Sequence, residues 1–413
     1  MAALPRVLAV HLKNQLVGKI IGLHDRNIFE FDEAYLRQAQ RPILSLGLLD
    51  ADRAPRRGMR PTQRRLPPYF SNLLPEGRLR AYIAELAGFN ADREFPLLLA
   101  LGKDLPGAVT VSALGEATSD EPGAVEIRRA ASSPLKFSLA GVQLKFSALA
   151  SATGGMTIPA SGLGGDWILK LPSATHDAVS ENEFVMLEIA AAIGINTPEH
   201  RLVDLSDVEG LPDMAGRIRG KALAVKRYDR RADGGRVHQE DFAQIFDQYP
   251  EDKYKRRNYS NIAAVIADWS GVEAGLEFVR RLTMNAIIGN GDMHLKNWSL
   301  VYPDGRTPQL APAYDYLSTV PYIANEKLAL NFGASKNFFP IDRARADRFA
   351  DKARLPGQAV WDTICETATL VWEEWRRSAA AELIPCDIRA LIDAHMERSM
   401  NGLIIDKPRA SRP

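Results

Sequence analysis

Asn290-Gly291-Asp292-Met293-His294-Leu295-Lys296-Asn297-Trp298-Ser299-Leu300 is the stretch on which the reading of the chain turns. It follows a long amphipathic segment and precedes a short apolar one. A carboxylate, Asp292, and an amide, Asn297, stand within it with four residues between them. A carboxylate can orient and deprotonate an attacking hydroxyl. An amide oxygen a few residues on can ligate a hard cation.

That Asp-x-x-x-x-Asn spacing is the one used by kinase catalytic loops. Alone it is a weak signal, and its neighbours give it weight. The segment before it, Val272–Ile288, places Leu276, Val279, Leu282 and Ala286 on one helical face. Within the loop, His294 reads as a positioning residue, because no second histidine lies at metal-ligand spacing. Lys296 is placed to neutralise developing phosphate charge. After it, Trp298–Tyr302 reads as a strand, Pro303-Asp304-Gly305 as a turn and Pro308–Pro312 as the return. The return ends in Ala313-Tyr314-Asp315-Tyr316. A carboxylate just past such a hairpin is where kinase-like folds keep a second magnesium ligand. Asp292, Asn297 and Asp315 thus form a magnesium–phosphate set; the competing reading is a polar loop and turn.

Upstream, Phe137–Ala148 places Gly141 in a strand–turn–strand pattern. A glycine there lets backbone N–H groups approach phosphate oxygens. With one central glycine it is neither a Walker loop nor Gly-x-Gly-x-x-Gly, and alone it favours an ordinary hairpin. Trp167–Pro172 is a strand with Lys170 inside it, facing either a cleft with phosphates or water at a sheet edge. Ser180 and Glu183 stand at capping-box spacing at the head of a helix whose buried face reads Phe184, Leu187, Ala191 and Ile195. Glu181 and Glu183 are candidates to pin the strand lysine, with capping the alternative for Glu183. Ala222–Tyr228 is a strand in the hinge position of a kinase. His238–Gln244 suggests a helix start.

The first third holds a possible hairpin, Val7–Leu12 and Leu16–Ile21 around Lys13-Asn14-Gln15, then a third strand at Phe29–Phe31. Helical patterns follow, one with Leu79, Ile83, Leu86 and Ala87, another over Phe95–Leu101. Val109–Val111 reads as a strand. Gly, Ser and Pro gather in 113–134, the best linker candidate. From Ala344 onward the chain reads as helical, interrupted at Pro385.

Bulk properties narrow the choices. The chain has 413 residues, 46% apolar and 25% charged, a globular composition. A net charge of +1 announces no global nucleic-acid field. Arg53, Arg56, Arg57, Arg60, Arg64 and Arg65 crowd one early region, and a solvated loop is the favoured reading. Two cysteines, Cys365 and Cys386, are too few for a disulfide framework. No apolar run approaches the ~20 residues of a membrane span, and Val7–Leu12 is short for a signal peptide. The expectation is a cytoplasmic protein without membrane contact.

These motifs in this order resemble the HipA family of serine/threonine kinases, toxins of bacterial toxin–antitoxin pairs. The resemblance rests on Ser138-Leu-Ala-Gly-Val-Gln-Leu-Lys145, Ile168-Leu-Lys-Leu-Pro172, Glu181-Asn-Glu183, Arg227-Tyr-Asp-Arg-Arg231, Gln239-Glu-Asp241, Gly291-Asp-Met-His-Leu-Lys-Asn297 and Tyr314-Asp315. Asn72-Leu-Leu-Pro75 and Gly107-Ala-Val-Thr110 extend it into the first third, so it covers nearly the whole chain.

The resemblance implies an α+β, HipA-like kinase fold. An N-terminal α/β subdomain would cover 1–115 and a linker 116–134. A small nucleotide-binding lobe would cover 135–230 and an all-helical C-terminal lobe 231–413. It implies Asp292 as catalytic base, with Asn297 and Asp315 holding Mg²⁺. ATP would meet Ala140, Gly141, Val142, Gln143, Leu144 and Lys145 in the phosphate loop, together with Lys170. Lys226, Arg227 and Tyr228 would form the hinge, and His294, Leu295, Lys296, Asn297, Tyr314 and Asp315 would line the nucleotide. Ser138 matches the family's autophosphorylated serine; two added negative charges fit poorly in a loop built for a triphosphate. The implied partners are a HipB-like helix-turn-helix antitoxin, operator DNA through that complex, and an aminoacyl-tRNA synthetase, such as glutamate–tRNA ligase, as protein substrate. Lys226, Leu144 and Met293 depart from the family pattern, and bear on nucleotide and substrate preference. The rival readings are a small-molecule phosphotransferase and an inactive corepressor scaffold.

Overall fold

A computed structural model describes residues 7–403 apart from 24, 78–79, 82–83, 85–87, 89, 115–144, 152–154, 159–163 and 212–218. Ser138, the loop residues Ala140, Gly141, Val142, Gln143 and Leu144, the linker 116–134 and the pattern of Leu79, Ile83, Leu86 and Ala87 lie outside the described residues. The chain divides into two compact units. One comprises Met1–Thr175, Val203–Lys253 and Ser299–Pro308; the other His176–Leu202, Tyr254–Trp298 and Gln309–Pro413.

The first unit begins with an antiparallel sheet. Its strands are β1 (Val7–Leu12), β2 (Gln15–Leu23), β3 (Arg26–Phe31), β4 (Thr62–Gln63) and β5 (Val109–Ala113), in the order β4-β3-β2-β1-β5. Lys13 and Asn14, at φ 49° and 67°, make the two-residue turn between β1 and β2, where Leu12 pairs with Gln15. Such turns match the twist of the strands they join. Alternate residues of β1 and β2, among them Leu8, Val10, Leu12 and Ile20, bury against Phe29, Phe70 and Leu97. The Glu94–Leu101 helix supplies Leu97. Gly18 is required by closeness: a Cβ there would stand 2.4 Å from the Glu30 carbonyl oxygen. The early arginines are mostly exposed, with Arg57 and Arg65 paired to Glu33 and Glu251, so the solvated-loop reading fits them.

The second sheet of this unit contains β6 (Lys145–Ala150), β7 (Met156–Thr157), β8 (Trp167–Lys170), β10 (Val208–Glu209) and β11 (Lys221–Lys226). β9 (His200–Asp204) lies in the chain between β8 and β10. Five strands run in the order β10-β7-β6-β8-β11. β8 is therefore central, and the edge reading of Lys170 does not hold: Lys170 is buried, with Lys145 and Leu223 as cross-strand neighbours.

β12 (His238–Asp241) and β13 (Ser299–Tyr302) form an antiparallel pair with His238 opposite Tyr302 and Asp241 opposite Ser299. A helix start was expected from His238. The helix begins four residues later, at Phe242–Ile245, with Asp241 and Gln244 closing a reciprocal capping box. His238–Asp241 pairs instead with a strand sixty residues away, which local pattern does not reveal.

The second unit is mainly helical: Val179–Ala192, Tyr259–Ser270, Val272–Ile288, Arg343–Ala353, Gly357–Arg377 and Cys386–Gly402. Val272–Ile288 has the expected bounds, and buries Val279, Leu282 and Ala286. The Val179–Ala192 helix corrects two expectations. Its N-cap is Ala178 at φ 54°, with no side-chain cap, so Ser180 and Glu183 form no capping box. Of its expected buried face, Leu187 and Ile195 are buried, Phe184 is half-buried and Ala191 is exposed, and Val185, Met186 and Ile189 are buried as well. Cys365 and Cys386 are free thiols. Among the described residues no helix is long and apolar enough to cross a membrane.

Candidate active site

The Val272–Ile288 helix stops because Gly289 adopts φ 73°, a left-handed C-cap. A Cβ there would also strike Val320 at 2.7 Å. The chain then turns sharply into the loop. Asn290, almost fully buried, organises that turn. Its side-chain N–H groups donate to Asn285 Oδ1 at 2.9 Å and to the Asp315 main-chain oxygen at 3.0 Å. Its Oδ1 accepts from the Asp292 N–H at 3.1 Å. The Gly291 N–H donates to Thr319 Oγ1 at 2.8 Å, and the Thr319 hydroxyl donates to the Gly289 carbonyl oxygen at 3.1 Å. The loop and the 315–319 segment are therefore held by each other.

Asp292 sits at the tip with its side chain about half exposed (53%). Its Oδ1 accepts the Tyr254 hydroxyl at 2.5 Å, and His294 Nε2 is 4.0 Å from the same oxygen. Its main-chain oxygen accepts the His294 N–H at 2.8 Å and the Asn297 side-chain N–H at 2.9 Å. Beneath it, Met293 is buried, and its carbonyl oxygen accepts Tyr259 Oη and Trp298 Nε1 at 3.1 and 3.2 Å. Burial holds the Tyr259 phenol well above its ordinary range, so it remains a donor.

Leu295–Asn297 forms one 3₁₀ turn, which brings Asn297 back toward Asp292. The Asn297 amide nitrogen is committed to the Asp292 main chain. Its oxygen has no partner among the described residues and is the atom left for a cation. Tyr314 anchors the far side by donating its hydroxyl to the Lys296 carbonyl oxygen at 3.0 Å. Asp315 takes φ 55°, a left-handed conformation uncommon outside glycine and Asn/Asp. Such strain gathers where a side chain must be aimed.

Among the described residues no three His, Cys, Asp or Glu side chains group to hold a metal. Mg²⁺ is commonly bound by one or two carboxylates with phosphate oxygens and waters. Asp315 and Asn297, tied through one loop, could supply that kind of donor set.

The other expected residues lie in the first unit. Lys170 and Lys145 are opposite one another on β8 and β6. Lys226 ends β11, its ammonium 5.7 Å from the centre of the Trp167 ring. The Arg227 side chain belongs to a buried ion-pair cluster: Nε and Nη2 each donate to Asp229 at 3.0 Å, and Nη1 approaches Asp104. Arg230 joins both carboxylates, and the Gly107 N–H donates to Asp229 Oδ2 at 2.8 Å. Tyr228 is half-buried beside it.

Sequence reasoning missed Tyr254, Asn285, Asn290 and Thr319. Asn290 had a signal: a polar residue directly after a glycine that ends a helix. Tyr254, thirty-eight residues from Asp292, had none.

A family model described as the HipA-like C-terminal domain matches residues 137–375, and one described as the HipA N-terminal domain matches 8–112. The chain belongs to the HipA family. Within it, this HipA-family chain is 48% identical over 396 residues to "Putative kinase Y4dM" of Sinorhizobium fredii, covering 94% of this chain and 96% of that protein. It is 30% identical over 380 residues to "Putative kinase Y4mE" of the same organism, covering 84% and 86%. The serine/threonine-protein kinase toxin HipA of Shewanella oneidensis is 26% identical over 297 residues, 63% of this chain and 65% of that protein. The solved complex of Shewanella oneidensis HipA with HipB and its operator DNA contains a chain that superposes with TM-score 0.73 at 20% identity, covering 95% of this chain and 97% of that one. At that identity the likeness speaks for the fold: α+β, as the sequence motifs implied.

Proposed function

We propose that this HipA-family chain is an ATP- and Mg²⁺-dependent protein serine/threonine kinase acting as the toxin of a HipBA-type pair. One observation carries the reading. The half-exposed carboxylate of Asp292 is presented by a loop whose every turn is fastened, with the Asn297 amide oxygen and Asp315 held by that same loop.

On this reading Asp292 accepts the proton of the substrate hydroxyl as its oxygen attacks. Asn297 and Asp315 hold Mg²⁺, which when bound supplies charge neutralisation at the phosphates. Lys296 adds positive charge at the loop. Lys145 and Lys170, with Ala140–Leu144, are assigned to the phosphates, and Lys226–Tyr228 to the hinge through main-chain groups. The Arg227 guanidinium is spent on Asp229 and Asp104, so its role there is structural. Ser138 is assigned as the site of self-limiting autophosphorylation. The Shewanella oneidensis HipA assembles with HipB and operator DNA; the same partners, a HipB-like antitoxin and DNA through it, are proposed here. The proposed substrate is an aminoacyl-tRNA synthetase such as glutamate–tRNA ligase, in the cytoplasm.

The test is expression without the antitoxin, with γ-³²P labelling of purified synthetases. Growth arrest and label on a synthetase, both lost in Asp292→Asn, are expected. Label on a metabolite alone would establish a small-molecule phosphotransferase. Arrest unchanged in Asp292→Asn would leave a scaffold.

A further inference from the structure

Tyr254 opens the segment that leads into the Tyr259–Ser270 helix. Its phenol is 41% exposed, so burial does little to fix it. Directional contacts help to do so. The hydroxyl donates to Asp292 Oδ1 at 2.5 Å, and the ring stands edge-on to His294, with centroids 5.0 Å apart and planes at 83°. His294 is itself nearly buried, so it gives the ring a rigid wall.

The consequence falls on the carboxylate. The terminal torsion of an aspartate is broad and roughly two-fold, so an exposed carboxylate turns readily. Here Oδ1 is held by a short bond from a phenol, while Oδ2 has no partner among the described residues. The main chain on either side is locked by Asn290, His294 and Asn297. One oxygen is anchored, on a side chain that is about half exposed. A general base gains from such fixed aim, because proton transfer needs hydrogen-bond reach and direction.

We propose that Tyr254 is a positioning residue for Asp292, anchoring Oδ1 so that Oδ2 receives the proton of the substrate hydroxyl. The inference rests on the phosphoryl-transfer reading above. In that step the hydroxyl oxygen bonds to the γ-phosphorus and the bond to the bridging oxygen breaks. Its electron pair leaves with ADP, and the proton goes to Oδ2. The role assigned to Tyr254 acts through the carboxylate.

Tyr254→Phe keeps the ring against His294 and removes the donor. In the full chain with ATP and Mg²⁺, kcat for phosphate transfer is expected to fall roughly ten-fold. KM for ATP and for the protein substrate should stay within about two-fold, because the donor removed is assigned to the carboxylate and not to either ligand. A second readout needs no turnover. With ¹³C-carboxyl aspartate, the Asp292 resonance, assigned by its loss in Asp292→Asn, should move and broaden in Tyr254→Phe at one fixed pH. An unchanged resonance with unchanged kcat would overturn the proposal, and so would a raised kcat, which would make Tyr254 a cover over the base. A wild type that transfers no phosphate, with Tyr254→Phe still moving the resonance, would sink the kinase reading and the positioning role with it. An active wild type with an indistinguishable Tyr254→Phe would sink the positioning role alone.

Discussion

The Asn290 amide donates to the main-chain oxygen of Asp315 at 3.0 Å, and that one bond ties the expected base loop to the expected magnesium carboxylate. The same amide also holds Asn285 and the Asp292 N–H. Asn290→Ala would remove all three bonds from a buried site. A loss of about 2–3 kcal/mol in unfolding free energy is expected, from buried groups left unpaired. Phosphate transfer should fall more than stability alone predicts. Urea melts beside single-turnover transfer check this; a variant equally stable and active would show the tie to be incidental.

Asp315 allows strain and function to be separated. Its φ of 55° costs an aspartate on the order of 1 kcal/mol and a glycine almost nothing. Asp315→Gly should therefore melt at the same temperature as wild type or slightly higher, yet lose Mg²⁺-dependent transfer. A variant that keeps its activity would remove Asp315 from the metal site.

Glu240 predicts a pH dependence. It is fully buried on β12 and accepts the Ser45 hydroxyl at 2.5 Å, the Leu46 N–H at 2.9 Å and the Tyr302 hydroxyl. Burial pushes its carboxyl up from 4.5 to about 7, against the pull of those three donors. The folded chain thus binds more protons than the unfolded one between those values, so stability falls as pH rises through 4.5 to 7. The full loss is about 3 kcal/mol. His238, two residues away, acts in the opposite direction: burial lowers its imidazole to about 4, so its contribution is lost as pH falls below its ordinary 6.5 toward 4. Unfolding followed from pH 4.5 to 8 in wild type and Glu240→Gln should show the alkaline decline reduced in the variant. Equal slopes would mean that Glu240 is not the group responsible.

The fold was legible where local pattern and tertiary demand agree. The Val272–Ile288 helix has a 3.6-residue apolar period and a glycine to stop it, and its bounds came out as expected. The β1–β2 hairpin likewise followed from two apolar runs around Lys13-Asn14-Gln15, though Gln15 opens β2 and leaves a two-residue turn. What misled were motifs with two meanings. Ser180 and Glu183 have capping spacing, but the helix starts before them at a left-handed Ala178, and Glu183 is buried. His238–Gln244 looked like a helix start because Asp241 and Gln244 do cap one, while His238–Asp241 pairs with β13. Of the candidate site, Asp292, Asn297 and Asp315 were visible as chemistry. The Asn290 tie and the Tyr254 contact were not, because each depends on residues brought together only by folding.

Asp229 gives a structural test apart from the chemistry. It is buried, and takes Arg227, Arg230 and the Gly107 N–H. Asp229→Ala would leave two arginines short of a partner and should cost about 3–5 kcal/mol by chemical denaturation. A loss under ~1 kcal/mol would mean that Asp104 and water replace it.

The most direct measurement is intact-mass analysis of the full chain, shown to start unphosphorylated, after incubation with ATP and Mg²⁺, followed by peptide mapping, beside Asp292→Asn. A gain of phosphate on Ser138 in the wild type and none in the variant is the predicted result. Equal phosphate in both samples, or none in a wild type shown to bind ATP, would contradict an Asp292-dependent, self-limiting kinase.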